Sequence, residues 1–521
     1  MKRLTVLGLL ATAVVGAAGV TPVAVGASTN AASISWSTCD DPGLQDAGAQ
    51  CALLPVPLDY ARPDGAKIKI AVSRIKHTVP DAQGQGVMLI NAGGPGVPGI
   101  ANELSTWGQL VPNGAGGYYD WIGFDPRGVG ASQPSLSCDP NYFDFNRPTY
   151  IPVQQSIVQK WLARSKGYAD ACASNNGPIL QHMTTIENAK DMDSIRAALG
   201  VEQINYYGYS YGTYLGQVYS TMFPSRVRRM VLDSNVDPRN VFYQANLNQD
   251  VGFNTVIKIW FGWLAKYDSV YHLGKTEKAV ETLFYKTEAR LTLHPADGKI
   301  GGDEWVDIFL PTGYKQASWT LLGDAFARFV NDGDVANLEN LFLAIDGFGN
   351  DNSYAVYLAV QCTDVQWPQQ WSTWARDNWA TFAKAPFYTW ANAWGNAPCL
   401  NWPAPAHKPL TIDGSKVSSA LLIDQTLDAP TPYEGSLEVR QLYPNSSLIA
   451  LPGGTTHGSS LSGDACLDDQ VAAYLANGTL PPRKPGNGAD TTCAPPPVPV
   501  PDAATATTPA NAAARWVKAS R

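Results

Sequence analysis

The tightest constraint on this 521-residue chain is a pentapeptide, Gly208-Tyr209-Ser210-Tyr211-Gly212, lying between an apolar run that ends at Tyr207 and a stretch from about Tyr211 to Met222 that reads as helix. Gly-x-Ser-x-Gly between a strand and a helix describes a sharp turn. Side chains have no room at its flanks, hence the glycines. The turn lifts the serine hydroxyl above the carboxyl edge of a sheet, at a helix N-terminus. Taken alone, the pentapeptide would also fit a Gly-rich turn with a capping serine, so the rest of the chain has to decide.

The surroundings repeat the same alternation. Val87-Met88-Leu89-Ile90 reads as a buried strand ending in Gly93-Gly94-Pro95-Gly96, and Trp121 to Asp125 as another ending at Pro126-Arg127-Gly128. Thr185 to Leu199 places Ile186, Ala189, Met192, Ile195 and Leu199 on one helical face. Further strands are expected at Ile204–Tyr207, Met230–Asp233, Ala420–Ile423 and Leu448–Leu451. Strands alternating with helices predict βαβ units and a mostly parallel sheet, an α/β fold. Between about 240 and 405 the pattern breaks into helical sequence holding 11 of the 16 Trp residues. The simplest account is one sheet interrupted by a large helical insertion.

Both ends read differently. Lys2 and Arg3 precede an apolar run from Leu4 to Val20, and Val25-Gly26-Ala27 offers small residues for cleavage. Residues 1–27 therefore read as a signal peptide of a secreted, extracellular protein, too short and too Gly-interrupted for a retained membrane anchor. Residues 494–521 form a Pro/Ala-rich tail expected to be disordered. With 37 Lys+Arg against 45 Asp+Glu the formal charge is −8, and no long basic run exists, which excludes nucleic acid as the partner. A 45% hydrophobic content excludes a disordered chain. The eight cysteines include no Cys-x-x-Cys pair and there are only six histidines, so disulfides are expected and a metal site is not. Pairing between sequential neighbours would close local loops of about 11 to 37 residues each.

A serine nucleophile at such a turn needs a base, in the chain order Ser, then Asp or Glu, then His. His77 and His182 precede Ser210, His272 and His294 fall in the helical insertion, and His407 lies in a Pro-rich junction. His457 alone follows the last strand, in Gly453-Gly454-Thr455-Thr456-His457-Gly458. For the acid, Asp424 and Asp428 both follow the Ala420–Ile423 strand. Asp428 is favoured, because Ala429-Pro430-Thr431-Pro432 could hold it rigidly. Two backbone N–H donors are required for the oxyanion, expected from Tyr211 and from Gly94 of the Gly-rich loop. That loop lacks Gly-Lys-Ser/Thr and does not read as phosphate-binding. Arg127 reads as a scaffold ion-pair partner.

Together, the Gly-Gly-Pro-Gly loop, Asp125-Pro126-Arg127-Gly128, the Gly208–Gly212 turn, Asp428-Ala-Pro-Thr-Pro and the His457 loop resemble the α/β-hydrolase family of proline iminopeptidases. The chain is more closely similar to the secreted tripeptidyl aminopeptidases of Streptomyces and its relatives. The iminopeptidase loop usually reads His-Gly-Gly-Pro-Gly; Ala92 stands here in the His position, and the tripeptidyl enzymes also lack that His. The resemblance implies an α/β-hydrolase fold, with residues 28–239 and 406–493 forming the catalytic domain and 240–405 a helical cap over the site. It implies a serine hydrolase that releases short peptides from free N-termini; the acyl-transfer chemistry requires no cofactor, and a monomer is expected. An esterase acting on small acyl esters is the alternative on the same scaffold. Selectivity for a free amine calls for a cap carboxylate. Glu304, Asp324 and Asp364 are candidates, and Asp364, two residues after Cys362, is the first to test.

Overall fold

The computed structural model describes residues 34–345 and 349–501. The signal segment 1–27 and residues 502–521 of the tail lie outside the described residues. Ten strands make one sheet: β1 (Ser37–Thr38), β2 (Gln50–Pro57), β3 (Lys67–Ile75), β4 (Val87–Asn91), β5 (Asp120–Asp125), β6 (Ile204–Tyr209), β7 (Val227–Asp233), β8 (Ala420–Gln425), β9 (Ser446–Leu451) and β10 (Thr491–Thr492). Their order is β1-β2-β3-β5-β4-β6-β7-β8-β9-β10. Pairs β1–β2, β2–β3 and β3–β5 are antiparallel and the other six are parallel. This is the α/β-hydrolase arrangement.

The central strands are mostly apolar, with polar residues confined largely to their ends. Every residue of β4, β6, β8 and β9 is buried, as a parallel sheet covered on both faces requires. The chain passes from β4 to β5 on one side and on to β6 at the other, so the sheet order reverses around β4. A crevice opens at the carboxyl ends of strands flanking such a reversal. The β4–β6 register pairs Asn91 with Gly208. That register sets the Gly-rich loop after Asn91 directly beside the turn after Tyr209.

Between β7 and β8 the chain builds the helical insertion, including helices Tyr243–Lys266, Glu277–Leu293, Gly302–Phe309, Trp319–Asp332, Asn352–Asp364 and Thr389–Asn396. Aromatic rings fill its interior: Trp260, Phe284, Trp305, Phe309 and Phe326 meet with centroids 4.6 to 6.2 Å apart. Fully burying each such ring stabilises the fold by about 1.5–3 kcal/mol. The Trp excess of the sequence is therefore packing, and no Trp lines the large cavity described below.

The insertion is not closed on itself. Helix Gln155–Asn176, which precedes β6, sends Val158 and Trp161 into the insertion's core and Tyr168 and Cys172 into the core beneath the sheet. Disulfides join Cys39–Cys51, Cys138–Cys172, Cys362–Cys399 and Cys466–Cys493, the sequential pairing expected. The first residues of the tail are held as well, since the Trp263 indole N–H donates to the Pro499 carbonyl at 2.9 Å. No helix among the described residues is long and apolar enough to cross a membrane.

Candidate active site

Ser210 occupies the turn between β6 and helix Tyr211–Met222 with φ 55° and ψ −126°, a positive φ that a non-glycine residue adopts only under strain. The chain pays for the turn with glycine on both sides. A Cβ on Gly208 would lie 2.6 Å from the Gly212 carbonyl oxygen, and one on Gly212 would lie 2.4 Å from that of Asn91. Ser210 N–H donates to the Asp233 carbonyl at 3.1 Å, and its own carbonyl accepts from Thr213 N–H at 2.8 Å. These bonds anchor both sides of the strained residue.

Opposite lies the Gly93-Gly94 turn, with both residues at positive φ. A Cβ on Gly93 would stand 3.0 Å from Ser210 Cβ and 3.0 Å from Tyr211 N. Asn91 Oδ1 accepts the Gly93 N–H at 3.0 Å and holds the turn open. Neither Gly94 N–H nor Tyr211 N–H has an acceptor among the described residues, and both residues line the same cavity as Ser210.

His457 and Asp428 come together as a pair. His457 Nδ1 lies 2.9 and 3.0 Å from the two Asp428 carboxylate oxygens, and 3.3 Å from Thr431 Oγ1. Asp428 is fully buried and its Oδ1 also accepts Thr431 N–H at 2.9 Å, so the Asp-Ala-Pro-Thr turn folds around its own side chain. Asp424 faces elsewhere: Oδ2 accepts the Ser436 hydroxyl at 2.6 Å, and burial beside Asp428 pushes its carboxyl well above the usual range. With Nδ1 on Asp428, the imidazole has Nε2 left for a substrate or nucleophile. Ser210 Oγ and His457 share no hydrogen bond, and His457 is not on the cavity wall.

The cavity, about 850 Å³, opens between the sheet edge and the insertion. Ser210, Tyr211, Gly94 and Asp428 sit on its wall with the rings of Phe143, Tyr314 and Tyr388 and the amides of Asn246, Gln361 and Asn392. None of the three acids expected from the sequence lines it. Asp364 accepts the Thr185 N–H at 2.7 Å and the Thr185 hydroxyl, serving the start of helix Thr185–Ala198, and burial pushes it up to about 7. Glu304 Oε2 accepts the Gly301 N–H at 2.9 Å and closes the N-terminus of its own helix. Asp324 is likewise absent from the wall.

One turn on from Asp303, Asp307 does line the cavity. Burial raises its carboxyl, while contacts from Arg147 and Tyr150 act in the opposite direction; the Tyr150 hydroxyl lies 3.0 Å from each oxygen. Asp303, Glu304 and Asp307 are all buried around that guanidinium. The i, i+4 spacing of Asp303 and Asp307 was the available signal in the sequence. Arg127 is a scaffold group, gripping Asp191 through Nε at 2.7 Å and Nη2 at 2.8 Å.

Sheet order, the strained serine turn and the cavity it opens into define a serine hydrolase of the α/β-hydrolase fold. Comparison with known proteins agrees. Residues 86–312 match the family described as alpha/beta hydrolase fold, and residues 385–493 the one described as TAP-like protein. The chain is 39% identical over 480 residues to a tripeptidyl aminopeptidase of Streptomyces lividans, covering 89% of this chain and 87% of that protein. It is 31% identical to the serine protease Hip1 of Mycobacterium tuberculosis (86% and 90% covered) and 31% identical to carboxylesterase B of the same organism (89% and 91%). The chain belongs to the tripeptidyl aminopeptidase family and is a serine peptidase of that group.

Proposed function

We propose that the protein is a secreted exopeptidase that releases short peptides, tripeptides foremost, from free N-termini through an acyl-enzyme on Ser210. The observation that carries this reading is the Asp428–His457 pair, whose aspartate shares a cavity wall with Ser210 on its strained turn. His457 Nε2 takes the Ser210 proton as Oγ attacks the scissile carbonyl. The Tyr211 and Gly94 N–H groups hold the oxyanion. His457 then protonates the leaving amine, and a water activated by the same imidazole cleaves the ester. Asp428 holds the imidazole tautomer and stabilises the imidazolium without taking a proton. The Ser210–His457 hydrogen bond forms as substrate fills the cavity, since such contacts commonly tighten only in the substrate complex.

Asp307 is the amine anchor in this scheme, in place of Asp364 and Glu304, whose oxygens serve helix N-termini. It faces the cavity and belongs to a group of three buried carboxylates around Arg147, so a substrate ammonium improves the local charge balance. The cap limits how far a peptide extends beyond that anchor. Export follows from residues 1–27 and agrees with the four disulfides.

The carboxylesterase relative favours one second reading, hydrolysis of small acyl esters. An Ala-Ala-Pro chromogenic amide with a free N-terminus, its acetylated form and a short p-nitrophenyl ester separate the two. The free amide is expected to be cleaved and the acetylated one spared. Activity confined to the ester would sink the peptidase reading.

A further inference from the structure

The histidine loop is gripped from two sides. On the sheet side, Ser234 Oγ accepts Gly458 N–H at 2.8 Å, and Asp233 Oδ2 accepts Ser459 N–H at 2.9 Å and Ser460 N–H at 2.7 Å. On the cap side, three consecutive residues meet the loop. His457 N–H donates to the Tyr314 carbonyl at 2.7 Å, Gln316 N–H donates to Thr456 Oγ1 at 3.3 Å, and the Tyr314 ring stands edge-on to the imidazole at 5.7 Å. Between them, Lys315 Nζ donates to the His457 carbonyl at 2.7 Å and to the Gly458 carbonyl at 3.4 Å.

Lys315 is half-buried, yet its ammonium turns inward onto these main-chain carbonyls, and it forms no ion pair among the described residues. The charged and titratable groups facing it are Asp233 from the end of β7, Asp428 from the turn after β8 with Asp424 behind it, His457 on the loop it holds, and the Tyr209 ring beside Gly458. Burial lowers the amine below the ordinary lysine range, and Asp233 and Asp428 oppose that shift. One charge-assisted donor thereby holds two consecutive carbonyls of the histidine loop, a firmer grip than a neutral donor gives.

We propose that Lys315 is a positioning residue for the base: its ammonium fixes the main chain of His457 from the insertion, so that the imidazole keeps its place on Asp428. The proposal rests on the Ser210–His457–Asp428 reading. It also makes the cap a structural part of the catalytic centre, because residues 314–316 belong to the insertion.

The test is kcat and KM on a free-N-terminus tripeptidyl anilide, for the wild type, Lys315→Met and Lys315→Gln, with fluorophosphonate labelling of each. Lys315→Met is expected to lower kcat about 10-fold and leave KM within about 2-fold. Lys315→Gln restores a shorter, neutral donor, so its kcat should fall about 3-fold below the wild type. It also carries the test if the Met variant does not fold. A kcat that coincides with the wild type, or a loss carried by KM instead, with Ser210 labelled normally, overturns the proposal alone. Labelling that persists in Ser210→Ala overturns the triad reading and this proposal with it.

Discussion

Two aspartates four residues apart follow the same strand, and their surroundings give them different work. Asp428 faces His457 Nδ1 at 2.9 Å, whereas Asp424 is spent on Ser436. Asp428→Asn is therefore expected to cut kcat by about 10⁴-fold by disturbing the imidazole tautomer, while Asp424→Asn stays within about 10-fold; steady-state kinetics on the tripeptidyl anilide checks both. Asp307→Asn should raise KM for the free-amine substrate by about 10- to 100-fold, the value of one charge-assisted contact, and leave a small ester unaffected. An equal loss on both substrates would argue against an amine anchor. Ser210 and His457 could be singled out in the sequence because few residues satisfy the required motif and chain order. The proposed anchor could not be singled out beyond the i, i+4 spacing of Asp303 and Asp307, because Asp303, Glu304, Asp307 and Asp364 differ in what they pack against rather than in residue type. Lys315 gave no signal either, since its role lies in contacts to a loop 142 residues away.

At the scale of elements, the parallel strands could be read because burial on both faces gives each a short, mostly apolar run. β2 and β3 escaped that reading, which began the sheet at Val87. They lie on the antiparallel side, partly exposed, and β2 carries Pro55 and Pro57. The insertion was legible as helix but not as a partner of helix Gln155–Asn176, whose Trp161 stacks on Trp394 at 5.5 Å. Helix Tyr243–Lys266 carries a testable pH dependence. Burial pushes Asp250 from 3.8 up to about 8, although Asn392 Nδ2 donates to it at 2.9 Å. Its folded pKa is raised, so its favourable contribution is full below the ordinary aspartate range and is lost as the pH rises through about 8. Asp250→Asn keeps the acceptor and removes the titration. Its Tm relative to wild type should therefore climb between pH 4 and 8, whereas a constant difference in Tm would contradict the shift.

Over the whole molecule, two sequence-distant parts behave as one body. The described residues, 34–345 and 349–501, belong to one compact unit, and two of its hydrophobic cores share helix Gln155–Asn176. One cooperative calorimetric transition is expected, with equal calorimetric and van't Hoff enthalpies; two resolved transitions would show the cap unfolding by itself. The same union gives the enzyme its selectivity in our account, since a sheet-borne serine meets a cap-borne carboxylate across one cavity. Mass spectrometry of the products from an unblocked peptide library tests that most directly. The account predicts short N-terminal fragments, mainly tripeptides, that disappear when the N-termini are acetylated and when Ser210 is replaced by Ala. Internal cleavage that persists on acetylated peptides would contradict it.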